Sequence, residues 1–291
     1  MDYVGSIFRP PSEASSLLLQ VTVGCSHNRC TFCDMYREKR FSTKPFATVR
    51  ADLEEAAALG PVFDRVFLCD GDALILSTAR LLELLGAIRE LMPWVKRVGT
   101  YGDSRSVLAK SVEELLALRA AGLGIVYHGV ESGDDVTLAR IDKGGTAADC
   151  LETARRLRAA SLRHSVIVLL GIGGVERSRE HAEATARLLT GMDPSFVGAL
   201  TTTVLPGTPL AEEERTGRFV LPDRFAILAE LRTLVAESRF TTCRFSANHA
   251  SNHLPLTGRL PKDRDALLAV LDRTLATRDE RLLRPEWMRG L

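Results

Sequence analysis

Short β-prone apolar runs alternate with stretches of helical spacing over the first two hundred positions, and nothing else in the chain constrains its fold as strongly. The runs are Ser16 to Val23, Arg65 to Cys69, Val95 to Tyr101, Gly124 to Val130, Ser165 to Leu170 and Phe196 to Val204. The first is dense in Leu17, Leu18, Leu19, Val21 and Val23 and halts at Gly24. Helical spacing occupies Val49 to Leu59, Thr78 to Met92, Ser111 to Ala121, Ala147 to Ala160 and Arg179 to Leu189. In the third of these Val112, Leu115, Leu116 and Leu118 recur on a polar background, and Ser111 is placed to cap before Glu114. Strands apolar at nearly every position, each followed by a helix, predict a parallel sheet covered by helices. Six such units, without the length for eight, point to an α/β partial (β/α)6 barrel, with a flat doubly wound sheet as the alternative pattern.

Beyond the sixth strand the turn-rich Leu205-Pro206-Gly207-Thr208-Pro209 leads to one more helical stretch, Pro222 to Ser238. Thr241 to Pro261 lacks periodicity and is rich in Asn, His and Ser, and Asp263 to Thr277 is helical again. Residues 1–240 are therefore read as the barrel and 241–291 as a short C-terminal extension packed at or near its mouth. The 38 basic and 37 acidic side chains leave a net charge of +1, so no global field attracts nucleic acid or an anionic membrane. The longest apolar runs fall far short of the roughly 20 residues of a bilayer-spanning helix. Met1 to Pro11 has no export signal, and a cytoplasmic location is expected.

Of six cysteines, three crowd into Cys25-Ser26-His27-Asn28-Arg29-Cys30-Thr31-Phe32-Cys33, directly after the first strand, while Cys69, Cys150 and Cys243 are scattered. Such usage suits a reducing compartment and a metal site. Three thiolates on one loop can hold three irons of a cubane and leave the fourth without a protein ligand. An amine and a carboxylate of a cofactor can chelate that iron. Zinc is the competing reading, with His27 as a fourth ligand in a cramped chelate, and three unrelated buried thiols is the other.

At this loop the chain resembles the radical S-adenosylmethionine (SAM) superfamily, in the branch that includes coproporphyrinogen oxidases and general iron–sulfur oxidoreductases. The family signature separates its cysteines by three and two residues, with an aromatic before the last; here Phe32 matches the aromatic, and the first gap has four residues. The resemblance implies a [4Fe–4S] cluster on Cys25, Cys30 and Cys33, and Phe32 beside the adenine. It extends through the strand ends, where parallel α/β folds bind ligands. Asp70-Gly71-Asp72 looks like the Gly-Gly-Glu element that takes the methionine ammonium. Glu131 and Ser132, in Gly129-Val130-Glu131-Ser132-Gly133, match the ribose segment. Leu169 and Gly171 match the glycine-rich element near adenine, Ser165 on the same strand could face the ribose, and Leu205 could hold adenine through its backbone.

The activity implied is one-electron cleavage of SAM to a 5′-deoxyadenosyl radical that takes a hydrogen atom from substrate. Substrate-facing candidates are Tyr36 and Arg105 near the cluster loop and Asn248, His249 and Asn252 in the extension, each with an ordinary packing or turn role as its alternative. Expected partners are a small-molecule or peptide substrate and an electron donor such as flavodoxin or ferredoxin. No feature points to a membrane or to nucleic acid, and the oligomeric state is not encoded in these motifs. A haem carrier or chaperone without turnover is the second reading, with His249 or His253 as axial ligand.

Overall fold

The computed structural model of the chain describes residues 1–290. Among the described residues ten strands form: β1 (Leu17–Gln20), β2 (Thr22–Val23), β3 (Ser42–Thr43), β4 (Arg65–Cys69), β5 (Arg97–Tyr101), β6 (Leu123–Glu131), β7 (Arg163–Leu170), β8 (Phe196–Thr201), β9 (Cys243–Ala247) and β10 (Leu256–Leu260). Contacts divide the chain into two compact units, one of residues 1–28, 35–128 and 155–164 and one of residues 29–34, 129–154 and 165 onward.

In the first unit β1, β4, β5 and β6 pair in parallel, as six βα repeats require. Side chains alternate across β4: Val66 and Leu68 enter a core with Leu53, Leu84, Leu85, Leu115 and Leu118, from the helices Phe46–Ala58, Thr78–Leu91 and Val112–Ala121. Phe67, on the other face, meets Tyr101 and Tyr127 edge to face at 5.0 and 5.7 Å. The Tyr127 hydroxyl donates to the fully buried Glu13 at 2.5 Å, and Arg97 pairs with the same carboxylate. Burying each of the core leucines contributes on the order of 2 kcal/mol, which is what holds otherwise marginal helices on the sheet. Ser111 makes the capping box with Glu114 that its spacing predicts.

The second unit carries β7, β8 and β9 in parallel, with β10 antiparallel to β9. Val166, Val168 and Val197 from the strands pack with Leu188 and Leu189 of Gly174–Met192, Leu228 and Leu231 of Arg224–Glu237, and Leu271 of Arg264–Thr277. Here the sequence reading needs correction: Thr241 to Pro261, which shows no helical period, contains two strands. In β9, Cys243, Phe245 and Ala247 are buried, while Arg244 is exposed and Ser246 half-buried. A polar residue at every second position is what a strand with one wetted face produces, and it dilutes the apolar signal. The first expected strand likewise divides at Val21, beyond which Thr22 and Val23 pair with β3. The helix read from Arg179 begins at Gly174, its first turn disguised by glycines and by a non-helical Arg177 (φ −126°, ψ 15°).

A histidine pair at the junction of β6 and β7, inside the first unit, gives the fold a measurable acid response. His128 Nδ1 and His164 Nε2 lie 3.3 Å apart, and the rings stack with centroids 5.4 Å apart. Burial, reinforced by Arg158, lowers the His164 pKa to about 3. A base whose folded pKa is depressed adds stability above its unfolded pKa, near 6.5, and loses it as pH falls toward the folded value. Replacing His164 with phenylalanine is expected to make the stability-versus-pH slope between pH 6 and 4 shallower by about 1.4 kcal/mol per unit, as read by urea unfolding. An unchanged slope would mean the folded imidazole protonates as freely as an unfolded one.

Candidate functional site

On the first unit the end of β1, the cysteine loop and the end of β4 are joined by one carboxylate. Asp70 is completely buried, and its Oδ2 accepts from Gln20 Nε2 at 3.1 Å, the Gly24 N–H at 3.0 Å and Lys39 Nζ at 3.1 Å. Gly24 directly precedes Cys25, so Asp70 anchors the entry to the loop. The longer first gap turns at Asn28, which adopts the left-handed conformation (φ 48°) that asparagine tolerates. The Asn28 side chain donates to Tyr36 O at 2.9 Å, closing the loop on the turn that follows it.

Gly71 marks where backbone must come close: a Cβ there would meet Cys25 Cβ at 2.8 Å and Tyr36 Cε2 at 2.9 Å. Tyr36 is 4% exposed, lies edge-on to Phe8 with centroids 5.5 Å apart, and has Lys39 Nζ 5.4 Å from its ring centre. Burial first, then the Asp70 carboxylate, push the phenol far above its usual range, so it is neutral. Asp72 is 1% exposed; its Oδ2 accepts the hydroxyls of Ser26, at 2.7 Å, and Ser106. Burial, with Asp103 adding to it, raises the Asp72 pKa to about 6. Asp103 also caps the helix Ser104–Leu108 and pairs with Arg105 at 2.6 Å, the residue singled out from the sequence.

On the second unit the rest of the loop, residues 29–34, is held through main chain: the Thr31 N–H donates to Ile141 O at 2.9 Å, and Thr31 O accepts from Leu210 N at 3.0 Å. Phe32 packs on Leu138, Ile141, Ile172, Leu210 and Phe219, with Leu169 on the same cluster. At the end of β6, Glu131 takes a left-handed φ of 64° and pairs with Lys143 Nζ at 3.1 Å. Ser132 is fully buried, and its Oγ lies 2.7 Å from His181 Nδ1. Gly171, with φ 81°, ends β7 and donates its N–H to Glu230. Ser165 is buried on β7 opposite Phe196, and Leu205 O accepts from Thr208.

The extension's candidates are placed differently from one another. Asn252 spends its amide on Ala199 O at 2.8 Å and its carbonyl on Thr201 Oγ1 at 2.9 Å, tying the loop to β8. Asn248 accepts from Ser246, and His249 Nδ1 lies 2.9 Å from Ser251 Oγ. Arg284 gathers the carbonyls of His249, Ala250 and Asn252. His253 is buried, and burial lowers its pKa to about 4. Sequence reasoning passed over Lys39, Ser26, Ser106, His181 and Glu230. Only Ser26, between Cys25 and His27, carried a signal by position; the others contact the candidate residues through tertiary structure.

Whether these residues suit an iron–sulfur cluster is decided by the donors and their surroundings. Cys25, Cys30 and Cys33 are half-buried, whereas Cys69, Cys150 and Cys243 are buried. Thiols kept at the surface of the fold on one short loop are available as ligands. Thr31 Oγ1, inside the loop, is buried without a hydrogen-bond partner among the described residues. No group of three or more His, Cys, Asp or Glu side chains already placed to hold one metal ion is found among those residues. Three thiols on one loop are the donor set that a cubane with one open iron would take. The residues present fit the cluster.

These features define an α/β protein with three half-buried thiols on the loop that follows its first strands. Residues 19–189 match the family model described as "Radical SAM superfamily", and the chain belongs to that superfamily. It is an enzyme family whose cofactors are a [4Fe–4S] cluster and SAM. Among curated proteins the chain is 25% identical over 222 residues to the threonylcarbamoyladenosine tRNA methylthiotransferase MtaB of Rickettsia prowazekii, covering 74% of this chain and 52% of that protein. It is 26% identical over 220 residues to the tRNA-2-methylthio-N(6)-dimethylallyladenosine synthase of Bordetella avium, covering 70% and 44%. The chain thus spans about half the length of these relatives.

Among solved structures it shares its fold with coproporphyrinogen III oxidase of Escherichia coli, at TM-score 0.56 and 16% identity, covering 76% of this chain and 51% of that one. It also resembles the methyltransferase TsrM of Kitasatospora setae with cobalamin and [4Fe–4S] cluster bound, at TM-score 0.56 and 22% identity, covering 71% and 41%. These likenesses agree with the α/β partial-barrel class expected from the strand–helix alternation. No helix among the described residues is long and apolar enough to cross a membrane.

Proposed function

We propose that this chain binds a [4Fe–4S] cluster through Cys25, Cys30 and Cys33 and uses it with SAM to abstract a hydrogen atom from a small-molecule or peptide substrate. When bound, the two cofactors supply one-electron cleavage of a carbon–sulfur bond and a 5′-deoxyadenosyl radical. The observation that carries this reading is the cysteine loop itself: three half-buried thiols, with the Gly71 backbone packed against Cys25 so closely that no side chain fits between.

The residues divide the remaining work. Asp70 and Asp72 set the entry to the loop through Gly24 and Ser26, and the backbone of the Asp70-Gly71-Asp72 turn offers carbonyls to the methionine ammonium. Phe32 and Leu169 form an apolar wall for the adenine, Glu131 accepts from the ribose hydroxyls, and Leu205 supplies backbone. Neutral, buried Tyr36 shields the loop from water, which limits quenching of a radical. Arg105, Asn248 and His249 are the substrate-facing candidates, and Asn252 supports the loop that carries Asn248 and His249. The electron donor is a flavodoxin- or ferredoxin-like protein of the cytoplasm. The curated relatives act on tRNA according to their names; with a net charge of +1, this chain has no excess of cations for a polyanion.

The test is anaerobic reconstitution with iron and sulfide, followed by SAM and dithionite. A cluster absorption and electron-resonance signal that changes when SAM is added, with 5′-deoxyadenosine accumulating, is the expected outcome. Haem uptake with no SAM cleavage would replace this reading with the carrier; one zinc and no iron would end both.

A further inference from the structure

Two buried ionisable side chains of the second unit have no part in the function proposed above, yet both end on residues that match the superfamily's ribose and adenine segments. Glu230, on the helix Arg224–Glu237, accepts the Gly171 N–H at 2.6 Å through Oε2 and the Ser178 hydroxyl at 2.6 Å through Oε1. His181, on Gly174–Met192, lies with Nδ1 2.7 Å from Ser132 Oγ. That oxygen also accepts the Asp134 N–H at 3.0 Å, so the hydroxyl is engaged from two sides. The ring also bonds the Leu169 main chain, and Nε2 stands 3.8 Å from Glu230 Oε2. Ser132, His181 and Glu230 are 0%, 1% and 2% exposed.

We infer that Glu230 and His181 form a buried brace, two positioning residues that hold the Ser132 hydroxyl and the main chain of Leu169 and Gly171 in place for the adenosyl part of the cofactor. The inference rests on the function proposed above. Gly171 needs such a hold: its φ of 81° is open to glycine alone at low cost, and glycine is the residue with the most backbone freedom to lose. Ser132 follows Glu131, itself in a left-handed conformation, and a hydroxyl fixed at both ends keeps that turn from relaxing. Burial raises the Glu230 pKa to about 7, against the opposing effect of Ser178 and Gly171, and lowers that of His181 to about 4. Both groups are thus held where water would solvate them better, and the brace specifies a backbone shape more than it adds stability.

The experiment uses the full chain with its cluster reconstituted and oxidised, no reductant, and SAM in equilibrium dialysis. Replacing Glu230 with alanine is expected to weaken SAM binding about 10- to 100-fold, the cost of leaving the buried Gly171 N–H without its acceptor. In turnover the loss should sit in KM for SAM, with kcat within about three-fold. Glu230→Gln keeps an acceptor for Gly171 and can donate to Ser178, so it should restore affinity to within about three-fold of the parent. Should the alanine variant not fold, Glu230→Asp, shorter by one methylene, is expected to weaken SAM by at least about five-fold through the misplaced acceptor. Folded Ala or Asp variants that bind SAM like the parent, or a Gln variant as weak as Ala, would overturn the brace. A parent chain that carries its cluster but binds no SAM would instead overturn the cofactor assignment, and the brace with it.

Discussion

Replacing any one of Cys25, Cys30 and Cys33 with alanine should remove the iron–sulfur absorption and reduce 5′-deoxyadenosine formation by at least about a thousand-fold, while the fold persists. The magnitude follows from the number of ligands: with three thiolates for four irons, losing one leaves two irons without a thiolate. Stability should change by less than about 1 kcal/mol, because the three side chains are half-buried and contribute little packing. Cys243, 1% exposed in the core of the second unit, supplies the opposite control. Its replacement by alanine should cost about 1–2 kcal/mol and leave the iron content intact. Iron retained in full by a Cys30→Ala protein would remove the basis of the proposed chemistry.

The second large effect is expected at Asp70, where stability rather than cluster content is the first readout. Its carboxylate is 0% exposed and compensates Lys39, whose ammonium is close enough to pair at 3.1 Å. Alanine would leave that cation, the Gln20 amide and the Gly24 N–H without their shared acceptor, a loss of about 3–5 kcal/mol for breaking a buried pair. Asparagine fills the same volume and keeps one acceptor, so it should recover part of the loss without restoring the charge. Urea unfolding of the two variants, beside Lys39→Met, separates these contributions. If Asp70→Ala and Lys39→Met each cost as much as the double variant, the pair acts as a unit. If Asp70→Ala unfolds at the same urea concentration as the parent, Asp70 does not anchor the loop.

Asp70 also shows why a motif read from sequence and a motif seen in three dimensions carry different information. Asp70-Gly71-Asp72 places two carboxylates around a glycine at the end of a strand, and its resemblance to the Gly-Gly-Glu element implies ammonium recognition. In the structure each carboxylate has neighbours that sequence distance conceals: Gln20 and Lys39 for Asp70, Ser26 and Ser106 for Asp72. The glycine had a cause that periodicity could not supply, the approach of Cys25 and Tyr36. Similarly, the Gly171 N–H at the end of β7 meets the carboxylate of Glu230 from 59 positions away.

What the sequence determined alone is whatever depends on neighbours a few residues apart: the strand–helix alternation, the Ser111 cap and three thiols on one loop after a strand. Periodicity of two or 3.6 is a local property, and thiol spacing sets the metal chemistry before any tertiary contact forms. Tertiary structure decided the rest: that a polar, aperiodic stretch would supply β9 and β10, that Glu13 would be buried against Arg97 and Tyr127, and that His181 and Glu230 would end on Ser132, Leu169 and Gly171. The physical reason is that a buried charge is tolerated only where partners from distant segments meet it, and one sequence contains many candidate partners until packing selects among them.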